Sequence, residues 1–482
     1  MGSTRAELSA NLPENRKTLE EAFHLPTNAD LKLRSFQAGG RAALLCYLDG
    51  MCDTIRIEDF ILRAAADAPP FPDSGDVLAA FVQNDLAVTD FKLYRYFDEL
   101  SADILSGKCA VFIDGCATAA AIDMRKYDKR PVSRTISENV VLGPQEGFTE
   151  SLRTNITLLR RFLRSEDLVC EMLNLGTQLP TGFAITYLKG TVNEAALDEL
   201  RRRMLALDCP YVSGTGALQQ QIEDHPYALF PQMLQTERPD RTASCLTEGQ
   251  IAILSENSPY ALIAPVTVFH LIHSSDDSFM RWQYGCFIRI IRFLGIIVSL
   301  YLPALYAAIS MYHTHILPTS LFTSIAETRA SVPFPVLVEV FIMELSFFLI
   351  NEAGTRIPSQ IGSALGIVGA LILGQAAVAA SIISPIMVII VALTGLGNYT
   401  IPNYSMGIGI QIIRLMLVIA AAALGLYGVV LLSSLIFAWL GGMRSFGQLF
   451  FSPAAPWKPN KNDLIFRLPI HFPKRRQRKE RP

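Results

Sequence analysis

"MELSFFLINEAGTRIPSQIGSALGIVGALILGQAAVAASIISP", residues Met343 to Pro385, sets carboxylates among apolar side chains and then passes into a nearly bare stretch. No residue between Ile361 and Ile413 carries a charge. Over the wider span Phe293 to Met443 the charged residues are Glu327, Arg329, Glu339, Glu344, Glu352, Arg356 and Arg414. That is the composition of a chain dissolved in lipid, where ionisable groups are expensive and therefore few. The residues before it are rich in Asp, Glu, Lys and Arg. The 482-residue chain thus reads as a soluble N-terminal region followed by an all-α polytopic transmembrane domain.

A membrane-crossing helix needs about twenty apolar residues. Phe293 to Tyr312 meets this with Pro303 inside, and Arg281, Arg289 and Arg292 crowd its leading edge as a topology-setting basic flank. Phe334 to Ile350 is only seventeen residues long and holds Glu339 and Glu344. Each acid costs about 2.5 to 3.5 kcal/mol at the helix centre and each apolar residue recovers about 0.3 to 0.6 kcal/mol, so the sum is near zero. Such a helix must turn its acids toward protein or water. Two roles stay open: Glu339, Glu344 and Glu352, with the lone amide Gln375, line an ion pathway, or the acids pair with Arg356 and Arg414. Gly362, Gly366, Gly369 and Gly374 follow at helical spacing as a surface for close helix packing. Leu415 to Leu440 reads as one tilted span. The tail "RLPIHFPKRRQRKERP" is basic and reads as cytoplasmic. Two cytoplasmic ends require an even number of crossings, whereas about five oily segments are visible. Either Phe334 to Ile350 or Ile386 to Leu396 stops short of crossing, or one run bends back.

The soluble region repeats an apolar run, a tight xDG or xKG turn and a helix-period segment. It does so at "ALLCYLDGMCDTIRIEDFIL", "CAVFIDGCATAAAIDM" and "AITYLKGTVNEAALDELRRRML". This predicts α/β layers. The boundaries read as a polar tail over 1–35, subdomains over 36–142 and 143–280, a transmembrane domain over 281–443 and a basic tail over 444–482. The eight cysteines all precede the first oily segment and form no CxxC pair, which fits reduced core thiols of a cytoplasmic domain. No apolar signal-peptide core opens the chain. The formal net charge of -2 gives no reason to expect nucleic acid. Phosphate-loop, dinucleotide and nucleophile-elbow motifs are missing, and "HTH" at His313 lacks a third metal ligand, so neither enzyme activity, cofactor nor metal is expected.

"GPQEGFTESLRTNITLLRR" from Gly143, "FPQMLQTERPD" from Phe230, "PFPVLVEVFIMELSFFLINEAGTRIP" from Pro333, "IGSALGIVGALILGQAAVAASIISPIMVIIVALTGL" from Ile361 and "SFGQLFFSPAAP" from Ser445 closely resemble the A subunit of GerA-type spore germinant receptors. The likeness covers residues 140 to 456, and more weakly from 35. It implies a protein of the spore inner membrane that works with an integral-membrane B subunit and a lipoprotein C subunit. It also implies a homo-oligomeric ring opening as a nutrient-gated channel for monovalent cations. A nutrient transporter and a non-conducting scaffold are the alternatives, and a sporulation-specific paralogue shares the framework.

Overall fold

The computed structural model describes residues 6–71, 77–88, 90–126, 135, 138, 140, 142–356 and 374–455, and the chain forms two compact units. The first comprises residues 1–226 and 233–265, the second 227–232 and 266–482. The boundary expected near 280 thus falls at Pro265. The physical reason is that Asp277 is held by Arg289 and Arg292 of the long helix that follows, which ties residues 268–280 to the helical unit.

The first unit holds two five-stranded antiparallel sheets. One has the order β1 (Leu31–Ala38), β2 (Arg41–Leu48), β4 (Cys109–Ile113), β5 (Ala119–Ile122), β3 (Phe91–Tyr94). The other runs β6 (Leu168–Leu175), β7 (Thr181–Leu188), β9 (Ile251–Ser255), β10 (Ala261–Ala264), β8 (Leu234–Thr236). Five places separate each strand from its counterpart, so the two lobes share one topology. A helix precedes each sheet: α1 (Leu12–Ala22) the first and α3 (Leu152–Phe162) the second. Between them lies α2 (Phe97–Leu105), and the second lobe adds α4 (Glu194–Leu205) and α5 (Pro239–Thr247).

Strand periodicity explains why both faces of the first sheet are covered. In β4, Cys109, Val111 and Ile113 join one buried cluster with Ile57, Ile61 and Phe81. Ala110 and Phe112 point the other way, onto Leu19, Phe23, Leu100 and Ile104. Residues 12–35, within the stretch expected as a tail, therefore supply a core helix and most of an edge strand. The xDG and xKG turns end their strands as the sequence suggests, with Gly50, Gly115 and Gly190 at φ of +85°, +85° and +80°, where a side chain is strained. "CAVFIDGCATAAAIDM" differs from its expected strand-turn-helix form. Its second half is β5, because the small alanines are buried between two covered faces. The eight cysteines are free thiols.

The second unit is built from α6 (Trp282–Tyr312), α7 (Thr319–Arg329), α8 (Val336–Arg356), α9 (Pro385–Tyr399), α10 (Tyr404–Leu424) and α11 (Leu426–Gly442). Two of these are long and apolar enough to cross a membrane: α6, mean hydropathy 1.9, and α10, mean hydropathy 2.1. Only 28% of the apolar window of α6 is buried, and Phe287, Phe293, Leu294 and Ile297 are exposed along it. A water-soluble core helix would hide those side chains. The run Leu415 to Leu440 is not one span. It breaks at Gly425, whose φ of +61° reverses the chain between α10 and α11. At about 1.5 Å per residue, the fifteen residues of α9 cover about 22 Å, short of a 30 Å hydrocarbon core.

Candidate functional site

Among the described residues of the apolar helices, Glu339, Glu344 and Arg414 are buried, whereas Glu352 is exposed. Glu344 of α8, 2% exposed, accepts a hydrogen bond at 2.6 Å from Nη2 of Arg414 on α10, which is 1% exposed. Nη1 of Arg414 donates at 3.0 Å to the Ser299 hydroxyl of α6. One ion pair and one hydroxyl thus bind three helices at mid-length. A buried pair of this kind recovers its desolvation cost only when geometry and extra hydrogen bonds are good, and Ser299 supplies one.

One and a half turns earlier on α8, Glu339 is fully buried. Its Oε2 accepts from the backbone N–H of Ser384 at 3.0 Å, just before α9 begins. Its Oε1 stands 3.4 Å from Nη2 of Arg329, at the end of α7. The two acids, expected to turn toward protein or water, face arginines, and for Glu344 the partner is the Arg414 that the pairing alternative names. Glu352 sits on the exposed side of α8, and Gln375 is exposed as well.

The basic flank of α6 is divided. Arg281 is exposed. Arg289 and Arg292 are buried and donate to Oδ2 of Asp277 at 3.2 and 2.7 Å. Of the glycines expected to pack helices, Gly374 is buried against Val388, and Gly362, Gly366 and Gly369 lie outside the described residues.

Close helix approach is seen at glycines whose sequence context reads as a turn. A Cβ on Gly397 would stand 2.5 Å from the Gly295 carbonyl oxygen, and one on Gly395 would stand 2.6 Å from the Phe347 ring. "TGLGNY" looks like loop because glycine marks turns and close packing alike. Arg329, Ser384, Ser299 and Asp277 were likewise not singled out by sequence. Only their position across from a carboxylate or an arginine makes them notable.

Burial pushes the Cys52 thiol up to about 12, with Asp123 and Asp49 adding to the rise against a backbone hydrogen bond. Burial likewise holds Cys46 and Cys170 well above the ordinary thiol range. Such thiols are not nucleophiles at neutral pH. Among the described residues no group of three or more His, Cys, Asp and Glu is placed to hold a metal ion.

Residues 17–479 match the family model of the Bacillus/Clostridium GerA spore germination protein. Spore germination protein B1 of Bacillus subtilis (strain 168) is 34% identical over 489 residues, covering 99% of this chain and 98% of the relative. Spore germination protein A1 of the same organism is 36% identical over 448 residues, covering 92% of each chain. Among solved structures, the N-terminal domain of the A subunit of the Bacillus megaterium spore germinant receptor GerK3 is 24% identical. It covers 55% of this chain and 98% of that one, with a TM-score of 0.43. A family match over nearly the whole length, with relatives above 30% identity along most of their own, places this chain in the GerA family of spore germination proteins.

Proposed function

We propose that the chain is the A-type subunit of a spore germinant receptor, and that copies of it assemble around a path for monovalent cations. The observation that carries this reading is the division of labour on α8. Glu339 and Glu344 are buried inside the unit against Arg329 and Arg414, while Glu352, which has an interaction of its own, lies on an exposed flank of the same helix. Repeated around a ring, Glu352 makes a circle of carboxylates of the kind that draws cations into a pore. Gln375 is a second exposed polar group for the same path. Glu339 and Glu344 then serve assembly of the helices rather than conduction.

In this reading the receptor sits in the spore inner membrane beside an integral-membrane B subunit and a lipoprotein C subunit. Arg281, Arg289 and Arg292 keep the leading end of α6, and with it the α/β region, on the cytoplasmic side. Gly374, buried against Val388, packs the helices that enclose the path.

The test is potassium efflux from liposomes holding the purified full-length protein. Conductance that falls severalfold in Glu352→Gln supports a cation path at that residue, and unchanged conductance removes Glu352 from it. Uptake of labelled nutrient without conductance identifies a carrier. Neither signal identifies a scaffold.

A further inference from the structure

We propose that the pocket between the C-terminal end of α6 and α7 is a binding site for a compact oxyanion, a carboxylate or phosphate, held by Arg329, Ser310 and Thr314. The pocket has a volume of about 120 Å³. Its remaining wall is apolar: Leu317, Phe322, Ile325 and Ala326. A cavity of about 150 Å³ takes benzene, so this one suits an acid group carrying a short hydrocarbon body.

The polar lining is unfinished, as are the Tyr306 hydroxyl, Glu339 Oε1 and Ser384 Oγ beside it. Arg329 Nε is shielded from solvent and has no hydrogen-bond partner among the described residues, and Ser310 Oγ, equally shielded, has only the Tyr306 hydroxyl near it and makes no bond of good geometry. On α7 itself, by contrast, the Thr323 and Thr328 hydroxyls donate to carbonyls of their own helix at 2.9 and 3.0 Å. A guanidinium N–H withheld from both water and acceptor is costly, and an incoming oxygen relieves that cost.

Glu339 does not fill this role. It meets a different nitrogen of Arg329, at 3.4 Å, beyond the 2.7 to 2.9 Å of a charge-assisted N–H···O bond. It balances the cation and leaves the Nε edge open. The site is close to neutral overall, so recognition rests on donors matched to an oxyanion more than on net charge. A free carboxylate and a lipid phosphate share this chemistry, and the experiment separates them.

The full-length protein in phosphatidylcholine nanodiscs is probed with sodium propionate by saturation-transfer NMR, and in phosphatidylglycerol nanodiscs by native mass spectrometry. The expected result is propionate contact that weakens about tenfold in Arg329→Gln. It weakens similarly in Ala326→Leu, which fills the pocket without touching the ion pair, and for neutral propionamide. Phosphatidylglycerol that displaces propionate, and is lost in the same two variants, supports the site and identifies lipid as its occupant. Propionamide binding as well as propionate, either probe binding both variants unchanged, or neither probe binding at all overturns the proposal. Conductance plays no part in the readout, so the site stands or falls apart from the channel reading.

Discussion

Arg160 and Asp30, 130 residues apart, join the two lobes of the α/β unit by a two-pronged ion pair, with Nε to Oδ2 at 2.7 Å and Nη2 to Oδ1 at 3.0 Å. Arg160 is 1% exposed and also donates from Nη1 to the Ser165 carbonyl at 2.8 Å and from Nη2 to the Leu168 carbonyl at 2.5 Å, so its donors are largely satisfied. The helix that carries it is amphipathic, and its basic side reads from sequence as a solvated face. One of those arginines instead closes the seam between the lobes. Asp30→Ala strands a buried guanidinium, a loss of about 3 to 5 kcal/mol. For a unit of this size that lowers the melting midpoint by on the order of 10 °C. Thermal unfolding followed by far-ultraviolet circular dichroism of the full-length protein measures it. A shift below 2 °C would show that the pair is dispensable.

Removing one partner of the Glu344 and Arg414 pair carries a similar penalty. Arg414→Leu leaves a carboxylate with apolar neighbours and costs about 3 to 5 kcal/mol, whereas Glu344→Leu with Arg414→Leu removes both charges and recovers most of it. The expected outcome is a poorly folding single variant and a double variant that purifies and melts within a few degrees of the parent. If both lose fold equally, the pair is not an isolated neutral unit within the helices.

What the sequence disclosed and what it withheld divide along a physical line. Local patterns were legible: the xDG and xKG turns, the apolar run of α6, and the presence of acids that could not face lipid. Partners across helices were not, because the register of α8 against α10 is set by packing that no single segment encodes. Arg414 could be named as a partner for an acid since it is the lone charge in a long bare stretch. Arg329 could not, lying in a polar segment before Pro333. The alanines of β5 misled for a related reason. Alanine is the best helix former, yet two covered faces of a sheet also demand small side chains, and tertiary burial decided.

The cysteines give a chemical test of the fold. Seven of the eight are buried and only Cys209 is partly accessible. Burial raises the Cys52 and Cys245 thiols to about 12, which leaves almost no thiolate at pH 8. Iodoacetamide applied to the native full-length protein at that pH is expected to label Cys209 alone, with all eight labelled after denaturation. Peptide mapping that found Cys46, Cys109 or Cys170 modified in the native state would mean that the sheets open far more readily than their packing implies.

The contact between Gly397 of α9 and Gly295 of α6 turns helix packing into a measurable quantity. A methyl group on Gly397 would press within 2.5 Å of a backbone oxygen, which cannot swing aside as a side chain does. Overpacking of this sort costs about 1 to 3 kcal/mol, and it outweighs the gain of up to about 1 kcal/mol from replacing a helical glycine with alanine. Gly441 near the end of α11 has nothing within 4 Å of the same added atom, so there only the helix-propensity gain remains. Gly397→Ala is therefore expected to lower the midpoint followed by intrinsic tryptophan fluorescence, to which Trp282 and Trp439 of the apolar helices contribute, and Gly441→Ala to leave it level or slightly raised. Equal behaviour of the two would mean that α6 and α9 do not approach this closely in the membrane.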